Sequence, residues 1–414
     1  MELRHGYKQT DVGVIPEEWE SGSLSRFWSV TDCKHVTAEF VSNGIPVASI
    51  KEVQSRFVDL THANQTTDRY YSLLIEGGRK PLPGDLILSR NATVGEIAQV
   101  AKWHPPFAMG QDVCLLRKKS PEFSTEFLQA IFQSSVIGSQ LSNLMVGSTF
   151  KRANVEQIRH FAVPMPPPRE QQAIAEALGD VDTLLEALTG VIAKKRDLKQ
   201  GVTQRLLTGQ IRLAGFRGEW KERQLGEIAT LIRGKGLSKE NVSASGARAC
   251  ILYGELFTTY GRVIREVVSR TNADDGVSSQ SGDVLVPGST TTIGADLATA
   301  SALLQDGVAL GGDINIIRQK ASSFAPVFLA NYLTHVMGSA IAELAQGITI
   351  IHLYGRDIRK LSLRMPELPE QDAIAIVLSD MDAELAAVEQ QLAKTRALKQ
   401  GMMQELLTGK TRLL

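Results

Sequence analysis

The sequence predicts a mixed α/β (α+β) protein that consists of two similar arms, each followed by one long helix. The chain repeats itself 200 positions apart: residues 164–213 and 364–413 align without a gap and are identical at 26 of 50 positions, where average composition gives roughly three by chance. Apolar residues inside both copies follow a heptad pattern that is typical of long helices. The segments before the copies contain short apolar runs bounded by turn residues, which predicts strands.

Each repeated segment predicts a helix of about 38 residues, or roughly 57 Å, that begins after a proline-rich stretch. Its apolar residues recur at alternating three- and four-residue steps, which places them on one face. The predicted helix-pairing residues are Ile174, Leu178, Val181, Leu185, Leu188 and Ile192 in the first copy and Ile374, Leu378, Met381, Leu385, Val388 and Leu392 in the second. Both faces need a partner and one arm lies between them in sequence, so we expect the two helices to pair antiparallel.

The apolar pattern breaks at the same place in both copies. The next core positions are occupied by Lys195, Lys199, Thr395 and Lys399, while Leu198 and Leu398 lie one residue off. Such a break predicts a stutter or a polar layer. Gly201 and Gly401 follow, and each lowers helix propensity by about 1 kcal/mol relative to alanine. We therefore expect the helices to bend or to end a segment there.

The arms carry a fainter duplication than the helices. An acidic turn followed by an apolar strand at 83–89 matches 281–287, and a Gly-Gln-Asp turn at 110–112 matches Gly-Gly-Asp at 311–313. Within the arms we expect strands at 45–50 and 85–89 and helices at 125–134 and 324–337. The predicted domains are arm 1–163, helical segment 164–215, arm 216–364 and helical segment 365–414.

The composition is typical of a soluble cytosolic protein. The chain has 45 Lys and Arg and 45 Asp and Glu, so its net charge is zero, and tight binding through phosphate contacts alone is not expected. A neutral chain can still recognise bases if a partner supplies much of the positive charge. Cys33, Cys114 and Cys250 neither pair by spacing nor form a metal motif. The sequence contains no uninterrupted run of eighteen apolar residues, so no membrane helix is predicted.

Three motifs are similar to catalytic sites but lack residues that the chemistry needs. The His-Pro-Pro-Phe sequence at 104–107 is similar to an amino-methyltransferase loop, but its histidine cannot supply the paired oxygen acceptor for the target amine. The Gly-Lys-Thr sequence at 409–411 lacks the first glycine of a phosphate loop, because Gln404 stands there, and it predicts a helix terminus. Asp85 and Glu96 are residue types of a nuclease metal site, but no lysine lies two residues after the glutamate.

A set of short motifs extends over almost the whole chain. They are Tyr7-Lys8-Gln9-Thr10, Gly13, Ile15-Pro16, Trp19, the strand-loop-strand at 84–95, Gln111-Asp112, Glu170-Gln171 and the paired Leu-Leu-Thr-Gly-x-x-Arg-Leu endings. In combination they resemble the DNA-specificity subunit of type I restriction–modification systems. The second arm departs from the family pattern at 288–292 and 348–350.

The resemblance implies two target-recognition domains that are held apart by two conserved antiparallel helices and recognise the two halves of a split, asymmetric DNA sequence. It also implies that the helices dock two modification subunits, which methylate adenine, and through them ATP-driven restriction subunits. S-adenosylmethionine, ATP and Mg would then be bound by these partners, and this chain would be non-catalytic and cytoplasmic. Two alternatives stay open, a stand-alone or fused methyltransferase fragment and a protein-only scaffold.

Polar loops between the duplicated strands hold the residue types that contact base edges and phosphates. The first predicted DNA-binding set is Ser89, Arg90, Asn91 and Thr93 in the first arm and Ser289, Thr290, Thr291 and Thr292 in the second. A second set, for phosphate and base-edge contact, is Ser148, Thr149, Lys151, Arg152 and Asn154 against Thr349, His352 and Arg356. The equivalent loops differ in chemistry, which predicts that the two arms recognise different half-sites. No catalytic or metal-ligating residue is predicted.

Overall fold

The structure, a computed structural model, describes residues 5–145 and 152–413. Ser148, Thr149 and Lys151 of the second predicted set lie outside the described residues. The chain divides into two compact units, Met1–Thr189 with Gln390–Leu414, and Gly190–Glu389. Each unit therefore holds one arm, the first half of one long helix and the second half of the other. The four predicted domains are segments of the sequence rather than compact units, and their boundaries remain predictions.

The first arm is built on antiparallel sheets. Its strands are β1 (Tyr7–Thr10), β2 (Gly13–Pro16), β3 (Glu20–Ser23), β4 (Trp28–Asp32), β5 (Phe40–Val41), β6 (Ile45–Ala48), β7 (Asn64–Thr66), β8 (Leu86–Ser89), β9 (Ile97–Gln99), β10 (Ala108–Met109), β11 (Val113–Lys118) and β12 (Ala162–Met165). Its helices are α1 (Leu24–Phe27), α2 (Asp68–Leu74), α3 (Thr125–Phe132), α4 (Ser135–Met145) and α5 (Val155–Arg159), and the long helix α6 (Pro168–Leu207) follows. The central sheet has the order β4-β11-β8-β9, and a second sheet, β10-β6-β7-β5, includes one parallel pair.

The second arm repeats this arrangement. Its strands are β13 (Lys221–Gln224), β14 (Ala229–Arg233), β15 (Arg248–Ile251), β16 (Val263–Ile264), β17 (Arg270–Thr271), β18 (Val277–Ser278), β19 (Asp283–Pro287), β20 (Ser289–Thr290), β21 (Ser301–Leu303), β22 (Ala309–Leu310), β23 (Ile314–Gln319), β24 (Ile351–His352) and β25 (Ser362–Met365). Its helices are α7 (Leu225–Ile228), α8 (Glu255–Thr258), α9 (Pro326–His335), α10 (Gly338–Leu344) and α11 (Gly355–Ile358), and the long helix α12 (Leu368–Leu406) follows. The central sheet has the order β14-β23-β19-β21-β16. The predicted strands and helices inside both arms are confirmed with slightly shorter bounds.

A buried ion pair fixes the start of the equivalent central strands β8 and β19. The guanidinium of Arg117 donates to both carboxylate oxygens of Asp85, at 2.9 and 2.7 Å. Arg318 binds Asp283 in the same way, at 2.8 and 2.7 Å. These hydrogen bonds raise the pKa of both arginines. Asp85 therefore stabilises the strand and is not available as a metal ligand.

The long helices, of 40 and 39 residues, match the predicted length. Both continue through Gly201 and Gly401, so the predicted end of a segment at these glycines is wrong. The reason is tertiary, because the following turns bury leucines in the arm cores, which outweighs a propensity loss of about 1 kcal/mol. The helices are instead followed by Gly209 and Gly409 with left-handed φ values of 72° and 69°. The predicted helix terminus at 409–411 is thus confirmed.

The helices pair antiparallel, as predicted. In the second unit Lys195 contacts Glu384 at 2.7 Å. Four residues further along α6, Lys199 pairs with Asp382, two residues earlier on α12. The residue numbers therefore rise along one helix as they fall along the other. The break in the apolar pattern is a polar layer of ion pairs.

The predicted pairing face is turned away from solvent in both helices. Buried members are Ile174, Leu178, Leu188, Ile192, Ile374 and Leu378, and half-buried members are Val181, Leu185, Met381, Leu385, Val388 and Leu392. Leu198 and Leu398, by contrast, are 60% and 58% exposed. Their offset from the heptad pattern places them on a solvent-facing side of each helix.

The end of each repeat docks on the arm that belongs to the other repeat. In the first unit, Leu406 and Leu407 of α12 join the core cluster that contains Trp19 and Trp28. In the second unit, the equivalent leucines of α6 join the core of the second arm.

The helices of the described residues include none with both the length and the hydrophobicity of a membrane-spanning segment.

An arginine that follows each long helix completes this docking. Arg412 donates to both oxygens of Glu170, at 2.6 and 2.9 Å, and Glu170 also accepts a hydrogen bond from the Trp19 indole at 2.9 Å. In the second unit Arg212 binds Glu370 in the same fork, at 2.5 and 2.6 Å. We call these two arrangements the terminal clamps.

Candidate nucleic-acid interface

The first arm brings its two predicted polar segments together where β8 ends. The backbone N–H of Arg90 donates to the carbonyl of Asp112 at 2.8 Å. The N–H of Ala153 in turn donates to the carbonyl of Arg90 at 2.9 Å. An antiparallel bridge then joins Asn91 to Arg152. One member of the first predicted set is therefore held beside one member of the second.

The second arm repeats these hydrogen bonds with different side chains. Gly288 N–H donates to the Asp313 carbonyl at 2.6 Å, and Leu353 N–H donates to the Gly288 carbonyl at 2.9 Å. Ser289 then pairs with His352 in the β20–β24 ladder. Asn91 is thus equivalent to Ser289, and Arg152 is equivalent to His352.

An aspartate in the left-handed backbone conformation accepts the first hydrogen bond of each arrangement. Asp112 and Asp313 have φ values of 64° and 57°, a conformation that aspartate tolerates better than most residues. The carboxylate of Asp112 lies 3.4 Å from Arg152. The carboxylate of Asp313 pairs with Arg233 and accepts from the Ser289 hydroxyl at 3.2 Å. Each aspartate therefore connects the polar loop to a cation.

The side chain of Arg90, one of the predicted DNA-binding residues, lies below the protein surface. Its side chain is 3% exposed and lies 2.8 Å from Asp32 and 3.7 Å from the thiol of Cys33. The neighbouring Ser89 is also buried, with its hydroxyl 3.2 Å from that of Thr93. This geometry does not favour the expected direct base contact by Arg90, because an ion pair below the surface already holds the guanidinium. DNA binding by the loop itself remains a prediction.

The other described members of the first-arm sets divide into anchoring and exposed side chains. Asn91 is half-buried, and its amide oxygen accepts from the backbone of Ala92 at 2.9 Å. Asn154 caps α5 by accepting from the N–H of Gln157 at 2.8 Å. Arg152 is 54% exposed and presents its charge to solvent.

The second arm exposes more of its predicted residues. Ser289 and Thr290 are buried, and the Thr290 hydroxyl lies 2.8 Å from that of Thr292. Thr291 and Thr349 are exposed. Thr292 is exposed and its hydroxyl donates to Asp296, His352 is half-buried, and the side chain of Arg356 is 72% exposed.

Sequence reasoning did not single out the exposed apolar residues close to these polar ones in sequence. Ile348 is 99% exposed, and Ile293 and Ile350 are also exposed. Ile293 directly follows the threonine loop, and Ile348 and Ile350 lie just before β24. The available signal was the Ile-Thr-Ile sequence after Gly347, an apolar pair in an otherwise polar loop. Apolar side chains in such positions suit the methyl group of thymine.

One group of side chains has metal-ligand chemistry. Among residues 5–145 and 152–413, donor atoms of Asp32, Cys33 and His35 lie within 4.8 Å of one another. Arg90 contacts two of these side chains, so its positive charge disfavours a cation there. Burial and the nearby Asp32 raise the pKa of the Cys33 thiol, which keeps it protonated and a weak ligand. The prediction that this chain binds no metal is therefore kept as a prediction.

The histidine of the methyltransferase-like sequence serves its own loop. Its Nδ1 accepts from the N–H of Ala101 at 2.8 Å, and its Nε2 lies 2.7 Å from the carbonyl of Val58. Both ring nitrogens of His104 are thus used in local packing. Among the described residues, this loop therefore shows no free histidine nitrogen for a substrate.

Comparisons with known proteins agree with this duplicated architecture. The sequence model described as "Type I restriction modification DNA specificity domain" matches the chain twice, over residues 16–194 and 217–395. A protein of Methanocaldococcus jannaschii assigned by name to the specificity subunit of the MjaX type I restriction enzyme is 25% identical, over 98% of this chain and 97% of its own length. The MjaVIII specificity subunit of the same organism is 24% identical over 50% of this chain and 49% of its own length.

Two solved structures share the fold. The S subunit of a type I restriction–modification system from M. genitalium has a TM-score of 0.59 and 14% identity, with 98% of each chain covered. A chain from a structural study of complex assembly and conformational transition in the type I R-M system also has a TM-score of 0.59, with 17% identity, 96% of this chain and 99% of that chain covered. At these identities the likeness shows the fold.

Proposed function

Because the chain belongs to the family of type I restriction–modification DNA-specificity subunits, we propose that each arm recognises one half of a bipartite, asymmetric DNA target. The family resemblance noted in the sequence is confirmed by the two matches and the full-length relative. The role of the chain in the system is DNA sequence specificity. Family membership also removes the reason to treat it as a methyltransferase fragment or as a protein-only scaffold.

One observation carries the assignment of two half-sites. The same backbone hydrogen bonds hold Asn91 beside Arg152 in one arm and Ser289 beside His352 in the other. The scaffold is common, and the side chains that it presents differ. Arginine suits guanine and histidine does not reproduce its bidentate fork, so equivalent positions would favour different bases.

We expect Arg152→Ala and His352→Ala to change recognition of different half-sites. Each substitution should relax discrimination at one or two neighbouring positions, by about 1–3 kcal/mol where the lost contact is to a base edge. The measurement is binding of the complex, reconstituted with its modification subunits, to a panel of single-base variants across both half-sites. Arg69→Ala is the matched control for Arg152, because Arg69 is an exposed arginine of the same arm that lies outside both predicted sets and should not change base preference. Loss spread over both half-sites for either substitution would contradict the proposal.

We propose that the long helices dock two modification subunits, which carry the methyltransferase activity, and through them ATP-driven restriction subunits. Leu198 and Leu398 support this, because they occupy the same position of the repeat and are both largely exposed. A single exposed leucine needs no explanation, but the same exposed leucine in both copies fits two equivalent contacts. In this proposal S-adenosylmethionine, ATP and Mg belong to the partners, and the complex acts in the cytoplasm.

We expect Leu198→Asp and Leu398→Asp each to remove one modification subunit, and the double variant to remove both. A charge at the centre of an apolar contact costs several kcal/mol of binding, whereas exposed leucines contribute little to the fold. The measurement is the mass of the assembled complex in solution, with the unfolding temperature of the free chain as a check. Gln200→Asp and Gln400→Asp are matched controls, since both glutamines are exposed two residues further along. A full complement of modification subunits on the double variant would exclude this docking face.

A further inference from the structure

We propose that a basic cleft in the second arm binds the phosphodiester backbone of DNA, and that the first arm has no equivalent phosphate site. This inference rests on the proposed function and adds a difference between the two arms. The cleft has a volume of about 470 Å³ and lies between β14, residues Asn315 and Lys320 at the two ends of β23, and α11. Its lining includes Arg233, Lys320, Arg356 and Arg359, and no carboxylate lines it among the described residues.

Two of the four cations have a carboxylate partner outside the cleft lining, Lys320 donates to the Gly226 carbonyl at 2.8 Å, and Arg359 is unpaired among the described residues. Arg356 lies over the ring of Tyr354, with 4.8 Å between the guanidinium carbon and the ring centroid. Its nearest carboxylate, on Asp357, is 3.6 Å away and also accepts from Lys360 at 3.0 Å. Arg359 is exposed, and it has no ion pair among the described residues. Two guanidiniums on one short helical segment therefore present donors that suit phosphate oxygens.

The cleft is continuous with the predicted DNA-binding loop. Arg233 pairs with Asp313, and the same carboxylate accepts from the hydroxyl of Ser289. Ser289 in turn pairs with His352, two residues before Tyr354. A strand of DNA that contacts the loop residues would therefore have phosphates beside the cleft. Phosphate contacts of this kind orient a protein on the duplex and carry no base preference.

The equivalent positions in the first arm have different charges. Strand registers make Asp32 equivalent to Arg233, because they pair with the equivalent residues Cys114 and Asn315. The hydrogen bond from Leu24 to Phe161 is equivalent to that from Leu225 to Leu361, so the offset between the arms is 201 positions at the start of each arm and 200 at its end. The four equivalents are Asp32, Lys119, Glu156 and Arg159. Two cations and two carboxylates thus stand where the second arm has four cations.

One of the two first-arm cations, Arg159, is held by a carboxylate of the same set. Glu156 lies 3.0 Å from Arg159, and Asp32 is paired with Arg90. The guanidinium of Arg159 further donates to the carbonyl of Val30 at 3.0 Å. A duplicated scaffold has therefore kept a phosphate-binding charge pattern in one arm and a neutralised one in the other. Within a chain of zero net charge, this concentrates the backbone contacts in the second arm.

The test is the salt dependence of DNA binding by the assembled complex. Each phosphate contact contributes about 0.9 to the slope of log Kd against log salt concentration. We expect the double variant Arg356→Gln/Arg359→Gln to bind its target more weakly and to lower this slope by about 1.8. The matched first-arm variant, Glu156→Gln/Arg159→Gln, should leave the slope unchanged. Arg356→Lys/Arg359→Lys keeps both charges and should keep the slope near the wild-type value.

Each outcome decides the inference. An unchanged slope in Arg356→Gln/Arg359→Gln would overturn the phosphate site, and an equal fall in the first-arm variant would overturn the difference between the arms. A change in base preference of the cleft variant would show base contact instead of backbone contact. The wild-type complex separates this inference from the proposed function. If the wild-type complex shows no preference for the sequence that it methylates over other DNA, the proposed function fails. If the wild-type complex shows this preference and only the slope prediction fails, the phosphate site alone is overturned.

Discussion

Arg412→Ala should destabilise the first unit by about 3–5 kcal/mol, because it leaves the carboxylate of Glu170 buried with no cation. Glu170 is 2% exposed, and after the substitution its only strong remaining donor in the clamp is the Trp19 indole. The hydrogen bonds in the clamp raise the pKa of Arg412 further above its usual range, so the arginine is charged at neutral pH. The measurement is urea-induced unfolding followed by tryptophan fluorescence.

The second unit supplies a matched comparison. Arg212→Ala should cost at least as much, because the indole N–H of the equivalent Trp220 is buried without a hydrogen-bond partner among the described residues, so Glu370 gains no such donor. Lys410→Ala is the control, since Lys410 is exposed and its loss should change stability by about 0.5 kcal/mol or less. Combining Arg412→Ala with Glu170→Gln should recover part of the loss, as the buried charge is gone. Equal unfolding midpoints for Arg412→Ala and the wild type would contradict the clamp.

Lengthening both long helices by one heptad should lengthen the gap between the two recognised half-sites and leave the half-sites themselves unchanged. Seven residues add about 10.5 Å of helix, close to three base pairs at about 3.4 Å each. A full heptad preserves the phase of the apolar face, which a four-residue insertion does not. The insertion points are after Thr189 and after Glu389, where the two compact units divide.

Methylation mapping in cells that carry the altered chain measures the gap directly. The control is the same seven residues inserted after Gly218, an exposed position between α6 and β13, which should leave the gap unchanged. An insertion variant that still methylates DNA with the original gap would show that the helices do not set the spacing.

Local patterns were sufficient to predict the long helices and the strands that lead to the polar loops. Heptad periodicity depends only on the order of residues along one helix, so Ile174 and Ile374 could be placed on an inner face without a structure. The two glycines were misjudged for the opposite reason. Propensity at Gly201 and Gly401 is a weak local term, and the burial of leucines one turn later decides that the helix continues.

The polar loops follow the strands β8 and β19 as predicted, and DNA binding by these loops stays a prediction, but the direction of individual side chains was not predictable. Arg90 has the chemistry of a base contact, and the partner that buries it, Asp32, lies 58 residues earlier on another strand. Conversely, Arg233 and Arg359 are far apart in sequence, and only the packing of the sheet and α11 brings them to one cleft. Side-chain exposure depends on residues that are distant in sequence and close in the fold, and a single sequence does not show which residues these are.

The duplication, the two paired long helices and the two chemically different arms follow from the order of residues, because identity between copies and heptad spacing are properties of the chain alone. Which repeat completes which arm becomes clear only from the packing of the folded chain. Arg212 and Arg412 are equivalent in sequence, as are Glu170 and Glu370, so residue type does not choose between the possible pairs. The continuation of each helix through Gly201 or Gly401, which the packing of its last leucines decides, makes the choice. An unbroken helix of 40 residues extends roughly 60 Å, so the arginine after its end cannot reach the glutamate at its start and meets that of the other copy.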